Sequence, residues 1–365
     1  MRILHVITSL RAGGAEHLLV DLLPKLKSTG HQVDLLLFDG TYTPFYEQLE
    51  EQGIEIYSLG HGMYSMYNPL HLFQLKRIMR KYDVVHTHNT PCQLLAAIAS
   101  GRTPLLVTTE HNTFNRRRTW KGWSAVDRWM YGKYARIVCV SQSTEEKLID
   151  YLQDDSICKR IITIPNGISL ERYRNAVPDE NLRRQYTGKH IVIMVAAFRQ
   201  QKDQKTLICA MKQLPETYVL WLVGEGENRY ECEMKVASLG LKDRVLFLGN
   251  CTNVPSLLAV ADIVVMSSHY EGFSLSSIEG MASGKPCIAS DVPALSEIVG
   301  GAGMLFPCGD ACRLSALIQQ VCEDKILYQQ VTKRCRKRAM RYDILNMVAS
   351  YKWIYESAII KMNDL

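Results

Sequence analysis

Short apolar segments rich in β-branched residues alternate with helical segments along nearly the whole chain. Residues 2–8 are predicted to form a buried strand before a glycine-containing turn, and the leucines between residues 18 and 26 follow a helical period. The same strand pattern returns at residues 32–38, 83–86, 105–108, 137–140, 191–196, 219–223, 245–248, 263–266 and 286–289. This alternation predicts an α/β fold of parallel strands, with right-handed crossovers and helices on both faces of each sheet.

The chain is long enough for two such domains, because 365 residues exceed what one hydrophobic core usually holds. The polar stretch 175–189 contains Pro178 and lacks a strand pattern, so we place the linker there. We therefore expect an amino-terminal domain over residues 1–180 and a carboxy-terminal domain over residues 186–345. The tail repeats apolar residues at helical spacing, and we expect a helix over about 346–365 that packs back on the first domain.

Composition excludes several classes of protein. The hydrophobic fraction of 47% and the charged fraction of 22% are typical of folded globular chains. No apolar run approaches the roughly 20 residues that cross a bilayer, and the opening residues lack a signal-peptide pattern. The eleven cysteines include no Cys-x-x-Cys pair, which favours reduced thiols in a cytoplasmic protein. A net charge of +6 is too small to indicate binding of nucleic acid, which we do not expect as a partner.

The most informative motif follows the predicted strand at residues 263–266. Two glutamates, Glu271 and Glu279, stand eight positions apart, and Gly272 between them permits a tight turn. A helix beginning near Ser274 directs unpaired backbone N–H groups and a positive dipole end toward bound phosphate oxygens. Glu279, one turn further along, is suited to accept hydrogen bonds from the two hydroxyls of a ribose. A solvated pair of glutamates is the alternative interpretation.

This segment resembles the Glu-x7-Glu signature of retaining, two-domain glycosyltransferases of family 4. The resemblance implies the GT-B fold, in which two doubly wound Rossmann-like domains face each other across a cleft. It also implies that Glu279 holds the nucleotide ribose and that Ser274 with Leu275 holds the diphosphate. Glu271 would lie by the transferred sugar, and Gly272 and Phe273 would line the nucleotide-sugar site.

Further segments of the second half resemble the same family. Arg199 and Lys202 resemble the cations that clamp the donor diphosphate, although this chain has Ala197 where the family usually places its arginine. An exposed surface arginine is the alternative for Arg199. Two more features, the pair Gly224 and Gly226 and the residue Asn250, resemble the family's Gly-x-Gly wall and its base-binding region. A plain tight turn explains the glycines equally well.

In the first half, Gly13 and Gly14 join the first strand to its helix and resemble the family's first glycine loop. They do not form Gly-x-Gly-x-x-Gly, which argues against a nicotinamide cofactor. His111 resembles the histidine that contacts the donor sugar, and we predict it to be catalytic together with Glu271, Arg199 and Lys202. His88 resembles an acceptor-side residue, and a core histidine bonded to the backbone is the alternative considered for its neighbour His86.

The segment after His111 gathers four cations and two tryptophans within nine residues. Arg116 and Arg117 are predicted to lie on the acceptor side, since such a mixture suits an anionic membrane surface or an acceptor that carries a diphosphate. A solvated loop is the alternative.

Together these residues predict a retaining glycosyltransferase that uses a UDP- or GDP-linked sugar and a glycan or lipid-linked acceptor in cell-surface polysaccharide synthesis. We expect a cytoplasmic enzyme in peripheral contact with the inner face of the membrane. We expect no cofactor and no metal, because no Asp-x-Asp arrangement follows a strand. The alternatives are a non-catalytic nucleotide-sugar binder and a nucleotide-cofactor oxidoreductase.

Overall fold

The computed structural model describes residues 1–11, 13–62, 68, 70–101, 104–113 and 115–363. The chain divides into two compact units. The first combines Met1–Gly167 with Ile344–Leu365, and the second is Ile168–Asp343.

The described part of the first unit contains a parallel sheet of seven strands in the order β3-β2-β1-β4-β5-β6-β7. The strands are β1 (Arg2–Ile7), β2 (Gln32–Leu37), β3 (Glu55–Ser58), β4 (Val84–His88), β5 (Leu105–Glu110), β6 (Arg136–Cys139) and β7 (Ile161–Thr163). Successive residues of β1 enter opposite apolar clusters: Ile3 and Ile7 face one side of the sheet, and Leu4 and Val6 face the other. This two-residue period places a core on each face.

The helices of this part of the chain cover both faces. They are α1 (Gly14–Lys27), α2 (Pro44–Glu51), α3 (Leu70–Met79), α4 (Thr90–Ala99), α5 (Trp123–Tyr131), α6 (Gln142–Leu152) and α7 (Asp155–Cys158). Residues of α1 and α2 lie in one apolar cluster, and residues of α3 to α7 lie in the other. None of the helices among the described residues has the length and hydropathy that crossing a membrane requires.

The second unit repeats the pattern with six described strands in the order β10-β9-β8-β11-β12-β13. The strands are β8 (His190–Val195), β9 (Tyr218–Val223), β10 (Val245–Gly249), β11 (Ile263–Met266), β12 (Cys287–Ser290) and β13 (Met304–Phe306). All their pairings are parallel. Both sheets therefore have the strand order of a doubly wound fold, and the predicted α/β class is confirmed.

The second unit also carries nine helices among its described residues. They are α8 (Leu170–Arg174), α9 (Glu180–Gln185), α10 (Gln204–Gln213), α11 (Arg229–Ser238), α12 (Val254–Val260), α13 (Leu275–Ala282), α14 (Pro293–Val299), α15 (Ala311–Glu323) and α16 (Lys325–Ala339). They enclose a single apolar cluster in which Trp221 is the largest fully buried side chain.

The division between the units falls at Gly167 and Ile168, earlier than the predicted linker at 175–189. The predicted linker contains helix α9, and its partly buried Tyr186 packs edge-on against Trp221 at 5.5 Å. Before this segment, Tyr173 on α8 is buried in the apolar cluster of the second unit. The segment belongs to the second unit because these aromatic side chains find apolar partners there.

The last helix, α17 (Ile344–Asn363), belongs to the first unit. Its Tyr351 and Tyr355 are fully buried in the same apolar cluster as α1. Their hydroxyl groups hydrogen-bond to Thr109 at 3.1 Å and to His86 at 2.6 Å. The first unit is therefore completed by the far end of the chain.

Candidate active site

Ligands of open parallel sheets bind beyond the carboxyl ends of the strands, at the point where the strand order reverses. In the second unit that point lies between β8 and β11, which pair directly. The loops that follow these two strands carry the predicted cations and the first glutamate of the signature.

Lys202 and Glu271 meet at this point. The Lys202 Nζ lies 2.6 Å from Oε1 and 2.7 Å from Oε2 of Glu271, and the Ser268 hydroxyl donates to Oε1 at 2.7 Å. The Glu271 side chain is only 4% exposed, and that of Lys202 is 19% exposed. The geometry fixes one carboxylate and one ammonium group in a sheltered place, where charges interact more strongly than in water.

The two loops are also joined through the backbone. The amide of His269 donates to the Gln201 carbonyl at 2.8 Å, and the Ser267 hydroxyl donates to the Asp203 carbonyl at 2.8 Å. Asp203 itself adopts a left-handed conformation, with φ of 48°, and its side chain accepts from the amide of Thr206 at the start of α10. Lys202 is therefore held by a fixed turn, which reduces the entropy lost when it binds an anion.

Helix α13 begins directly after the β11 loop. The Ser274 hydroxyl caps it by accepting from the Ser277 amide at 3.4 Å, and Leu275 is the first helical residue. Glu279 lies one turn further along and is 6% exposed. Gly280 lets the helix lie against β11, since a Cβ there would be 2.7 Å from a Val264 methyl group. The first amides of this helix are suited to an anion.

The predicted pair of glycines, Gly224 and Gly226, follows β9 and packs against the loop after β8. Their φ angles are 134° and 158°, and an added Cβ would lie 2.3 Å from the Ala196 carbonyl oxygen and 2.4 Å from that of Phe198. Main-chain hydrogen bonds join the same loops, including Phe198 N to Glu225 O at 3.0 Å. The glycines are required for this close approach of two backbones.

Replacing Gly226 by alanine is expected to lower the free energy of unfolding by about 2–3 kcal/mol, through strain and a main-chain clash. Gly240→Ala is the matched control, because Gly240 also has a positive φ, 68°, but open space around it. That variant should lose only about 1 kcal/mol. Urea unfolding of both variants measures the difference, and equal losses would contradict the close-packing interpretation.

The remaining residues predicted in this unit are more open. Arg199 precedes the short 3-10 turn Gln200–Lys202 and is exposed, and Asn250 is exposed after β10. Phe273 is half-buried, with its ring 5.7 Å from that of Tyr342. Gly272 stands between Glu271 and Phe273 in the turn that leads into α13. The structure therefore brings Lys202 and Glu271 together and leaves Arg199 free of such a tight pairing.

The corresponding point of the first unit lies between β1 and β4. Thr8 after β1 donates to the Asn89 side chain after β4 at 2.8 Å. Gly13 precedes helix α1 in an extended conformation that any residue adopts, and Gly14 is the first helical residue, with open space where a Cβ would stand. The backbone geometry alone does not require glycine here, so the role of this loop stays a prediction.

Four histidines cluster at the same end of this sheet. His5, His86 and His88 are fully buried, and His111 after β5 is partly exposed. His5 Nδ1 lies 3.0 Å from His88 Nε2, and His88 Nδ1 lies 3.1 Å from His111 Nε2. Burial lowers the pKa of His5 to about 3 and that of His111 to about 4, and it lowers the pKa of His86 and His88 well below the usual value.

The prediction that His88 contacts the acceptor is wrong. Its side chain is 0% exposed, and its two ring nitrogens face His5 and His111. Nitrogens of His5, His86 and His88 also lie within 4.8 Å of one another, a spacing that a metal ion could bridge. His86 already uses both nitrogens, bonding to the Tyr355 hydroxyl at 2.6 Å and to the Thr109 hydroxyl at 2.7 Å. These contacts describe a hydrogen-bonded network rather than a vacant set of ligands.

The arginine-rich segment forms the 3-10 turn Arg116–Thr119 and is tied down by buried ion pairs. Arg117 lies 3.1 Å from Asp127 and Arg118 lies 3.0 Å from Glu110, and all four side chains are at most 9% exposed. The predicted acceptor role of Arg117 is therefore wrong, because its charge is neutralised inside the protein. The side chain of Arg116 lies outside the described part of the structure.

The side chains that this region exposes are aromatic and cationic. Trp120 is 55% exposed and Trp129 is 47% exposed, and Lys133 Nζ stands 5.7 Å above the Trp129 ring. Lys121 is exposed beside them. Sequence reasoning missed Ser268, His5 and Glu110 as partners of the predicted site residues. A polar residue inside an apolar strand, as at His5, was the available signal.

Two family models match the chain. The model described as Glycosyltransferase Family 4 matches residues 12–172, and the one described as Glycosyl transferases group 1 matches residues 179–338. The two matches follow each other along the sequence and leave little of the chain outside them.

Curated relatives match most of the chain. It is 27% identical over 310 residues, 79% of each chain, to the UDP-Gal:alpha-D-GlcNAc-diphosphoundecaprenol alpha-1,3-galactosyltransferase of Escherichia coli. It is 24% identical to the phosphatidyl-myo-inositol mannosyltransferase of Mycolicibacterium smegmatis, over 94% of this chain and 90% of the relative.

Solved structures share the fold. HepE of Anabaena, solved in complex with UDP and glucose, superposes with a TM-score of 0.87 at 23% identity, covering 98% of this chain and all of the other. WaaG, a glycosyltransferase involved in lipopolysaccharide biosynthesis, gives a TM-score of 0.75 at 16% identity, over 97% of this chain and 99% of the other. The predicted pair of Rossmann-like domains, the GT-B fold, is confirmed by these likenesses.

Proposed function

The chain belongs to the group 1 glycosyltransferases, and on that premise we propose that it moves a sugar from a nucleoside diphosphate to a glycan or lipid-linked acceptor, with retention of configuration. The observation that carries this proposal is the Lys202–Glu271 pair, 2.6 Å apart at the point where the strand order of the second unit reverses. A sheltered cation next to a helix start suits a diphosphate, and the carboxylate suits the sugar attached to it.

Each residue then has a role in the proposed reaction. Lys202, the first amides of α13 and the exposed Arg199 neutralise the charge that develops on the leaving nucleoside diphosphate. Glu279 accepts hydrogen bonds from the ribose hydroxyls. The bond from the anomeric carbon to the diphosphate breaks, the acceptor oxygen bonds to that carbon, and the acceptor proton passes to a phosphate oxygen of the leaving group. Neither a cofactor nor a metal is part of this proposal.

Two relatives support uridine as the base to test first. The Escherichia coli galactosyltransferase is named for UDP-Gal, and HepE was solved with UDP and glucose. A GDP-linked donor is the second candidate.

The proposed acceptor is lipid-linked. The Escherichia coli relative is named for a diphosphoundecaprenol acceptor and the Mycolicibacterium relative for phosphatidyl-myo-inositol. In this chain the exposed Trp120, Trp129, Lys121 and Lys133 are the residue types that bind an anionic membrane surface. We therefore propose peripheral contact with the inner face of the membrane during synthesis of a surface polysaccharide.

Substitution of Lys202 by alanine is expected to weaken UDP binding by about 10-fold to 100-fold, because a charge-assisted hydrogen bond contributes about 1.5–3 kcal/mol. Isothermal titration calorimetry measures the change. Lys212→Ala is the matched control, since Lys212 is an exposed lysine on α10 of the same unit. It should bind UDP like the parent.

A turnover assay beside the binding measurement separates the proposed enzyme from a non-catalytic binder. Release of UDP from UDP-sugars by the parent chain, in the presence of lipid-linked acceptors, supports the enzyme. Binding without turnover across a panel of UDP- and GDP-sugars would favour the binder. If neither UDP nor GDP bound, the assignment of this site would be wrong.

A further inference from the structure

Three histidines of the first unit form a continuous hydrogen-bonded chain. His5 on β1 joins His88 on β4 at 3.0 Å, and His88 joins His111 after β5 at 3.1 Å. The ring centroids in each pair are 5.3 Å apart, which is the length of a hydrogen bond plus the two ring radii. The imidazoles therefore meet edge to edge, and their nitrogens point along one line.

This row of histidines has a closed end, which is buried at His5, and an open end, which is partly exposed at His111. His5 and His88 are 0% exposed, whereas His111 is partly exposed. At the closed end, His5 Nε2 is buried and has no hydrogen-bond partner among the described residues. At the open end, Nδ1 of His111 is the nitrogen that His88 does not use.

A neutral imidazole has one N–H donor and one acceptor nitrogen. The two hydrogen bonds that join the three histidines can therefore run in only two ways. In the first, His5 donates to His88, His88 donates to His111, and His111 keeps an outward Nδ1–H. In the second, every bond is reversed and His5 is left with a buried N–H that has no acceptor. A buried unpaired N–H is rarer and less favourable than a buried unpaired acceptor, which favours the first arrangement.

The groups around the three histidines keep their rings neutral. His86 stacks on His88 with centroids 4.5 Å apart, and its two nitrogens are occupied by the hydroxyl groups of Thr109 and Tyr355. Glu110, the carboxylate next to His111 in sequence, is paired with Arg118 at 3.0 Å. Burial lowers the pKa of His111 to about 4, and the neighbouring Glu110 offsets only part of this. No carboxylate within the described residues accepts directly from the three rings.

We propose that His5 and His88 are positioning residues that hold His111 as the neutral Nδ1–H tautomer, so that it donates a hydrogen bond to a substrate hydroxyl or leaving-group oxygen and does not act as a base. The proposal rests on the proposed function, in which His111 contacts the transferred sugar. It deepens that function by assigning the atom that donates and the residues that fix it. A protonated or reversed His111 would present the wrong charge or the wrong lone pair to the same oxygen.

The tautomer is measured directly by long-range proton–nitrogen NMR of the histidine-labelled full chain at neutral pH. We expect His111 to carry its proton on Nδ1, with an unprotonated Nε2, and to stay neutral as the pH falls to about 5.5. The exposed ring of His61 provides the internal reference for a solvated imidazole. A proton on Nε2 of His111, or a charged ring at neutral pH, would overturn the proposal. This measurement needs no substrate, so an inactive parent chain would count against the proposed function alone.

Two variants of His88 test the consequence for the reaction. His88→Leu removes the donor, and we expect kcat to fall by about 10-fold to 100-fold with the UDP affinity unchanged. The same NMR measurement on this variant should show the His111 proton distributed between Nδ1 and Nε2, because His88 no longer donates to Nε2. His88→Asn retains an N–H near the position of Nδ1 and should recover the parent's His111 tautomer and most of its kcat. Equal losses of kcat in both variants, with the parent's His111 tautomer in each, would show that His88 contributes packing only and would overturn the proposal.

Discussion

Glu271→Gln is expected to lower kcat/KM by about 10²–10³-fold while the protein stays folded, because the pre-organised charge beside the sugar is lost. In the structure both oxygens of Glu271 contact the Lys202 ammonium group, and Ser268 donates to one of them. Glutamine keeps the shape but removes the negative charge, so Lys202 loses the partner that holds it in place. Steady-state release of UDP from a UDP-sugar measures the effect.

Glu216→Gln is the control for this experiment, since Glu216 is exposed in the same unit, and it should leave kcat/KM unchanged. A double-mutant cycle with Lys202→Met adds a second criterion. Two residues that act as one ion pair should give losses that are far from additive. Additive losses, or full activity in Glu271→Gln, would remove this carboxylate from the mechanism.

Acid is expected to destabilise the first unit selectively, starting below about pH 6.5. His5, His86 and His88 are fully buried, and burial lowers the pKa of each: that of His5 to about 3, and those of the other two well below the usual value. Below about pH 6.5 these histidines bind protons in the unfolded chain but stay neutral in the folded chain. The free energy of unfolding therefore falls as the pH falls. Each histidine lowers the free energy of unfolding by about 1.4 kcal/mol per pH unit, so the three together lower it by about 4 kcal/mol per pH unit.

Hydrogen exchange measured by mass spectrometry at pH 7.5, 6.5 and 5.5 separates the two units. Peptides that cover β1 and β4 should lose protection as the pH falls, and above about pH 6.5 the histidine contribution should be flat. His61→Gln removes an exposed ring and should leave this dependence unchanged. Protection in β1 that is constant across the three pH values would show that the buried imidazoles are not the cause.

The sequence predicts the strands well where they are buried on both faces. β8 and β11 are continuous apolar runs that cannot be satisfied on a surface, and the structure has them within a residue or so of the predicted bounds. The four-residue strand β3 is different, because none of its residues is fully buried and it presents no apolar run. It forms because its backbone pairs with β2, a long-range interaction that a local pattern does not record.

The candidate site also contains features that the sequence predicts and features that it does not. Glu271 and Lys202 stand 69 positions apart, and their ion pair follows from the rule that parallel strands deliver their loops to one edge. The fates of Arg117 and His88 could not be read from residue type. Both are polar residues with plausible ligand chemistry. Only the three-dimensional structure shows that Arg117 is paired with Asp127 and that the ring nitrogens of His88 face His5 and His111 inside the protein.

Helix α17 has a consequence for how the protein is made. The second unit is one uninterrupted stretch of chain, whereas the first lacks part of its apolar cluster until Tyr351 and Tyr355 have been synthesised. On the ribosome the second unit can therefore finish folding before the first, whose apolar cluster stays incomplete until α17 has been synthesised. During that interval the nascent chain offers chaperones a hydrophobic surface that the mature protein does not have.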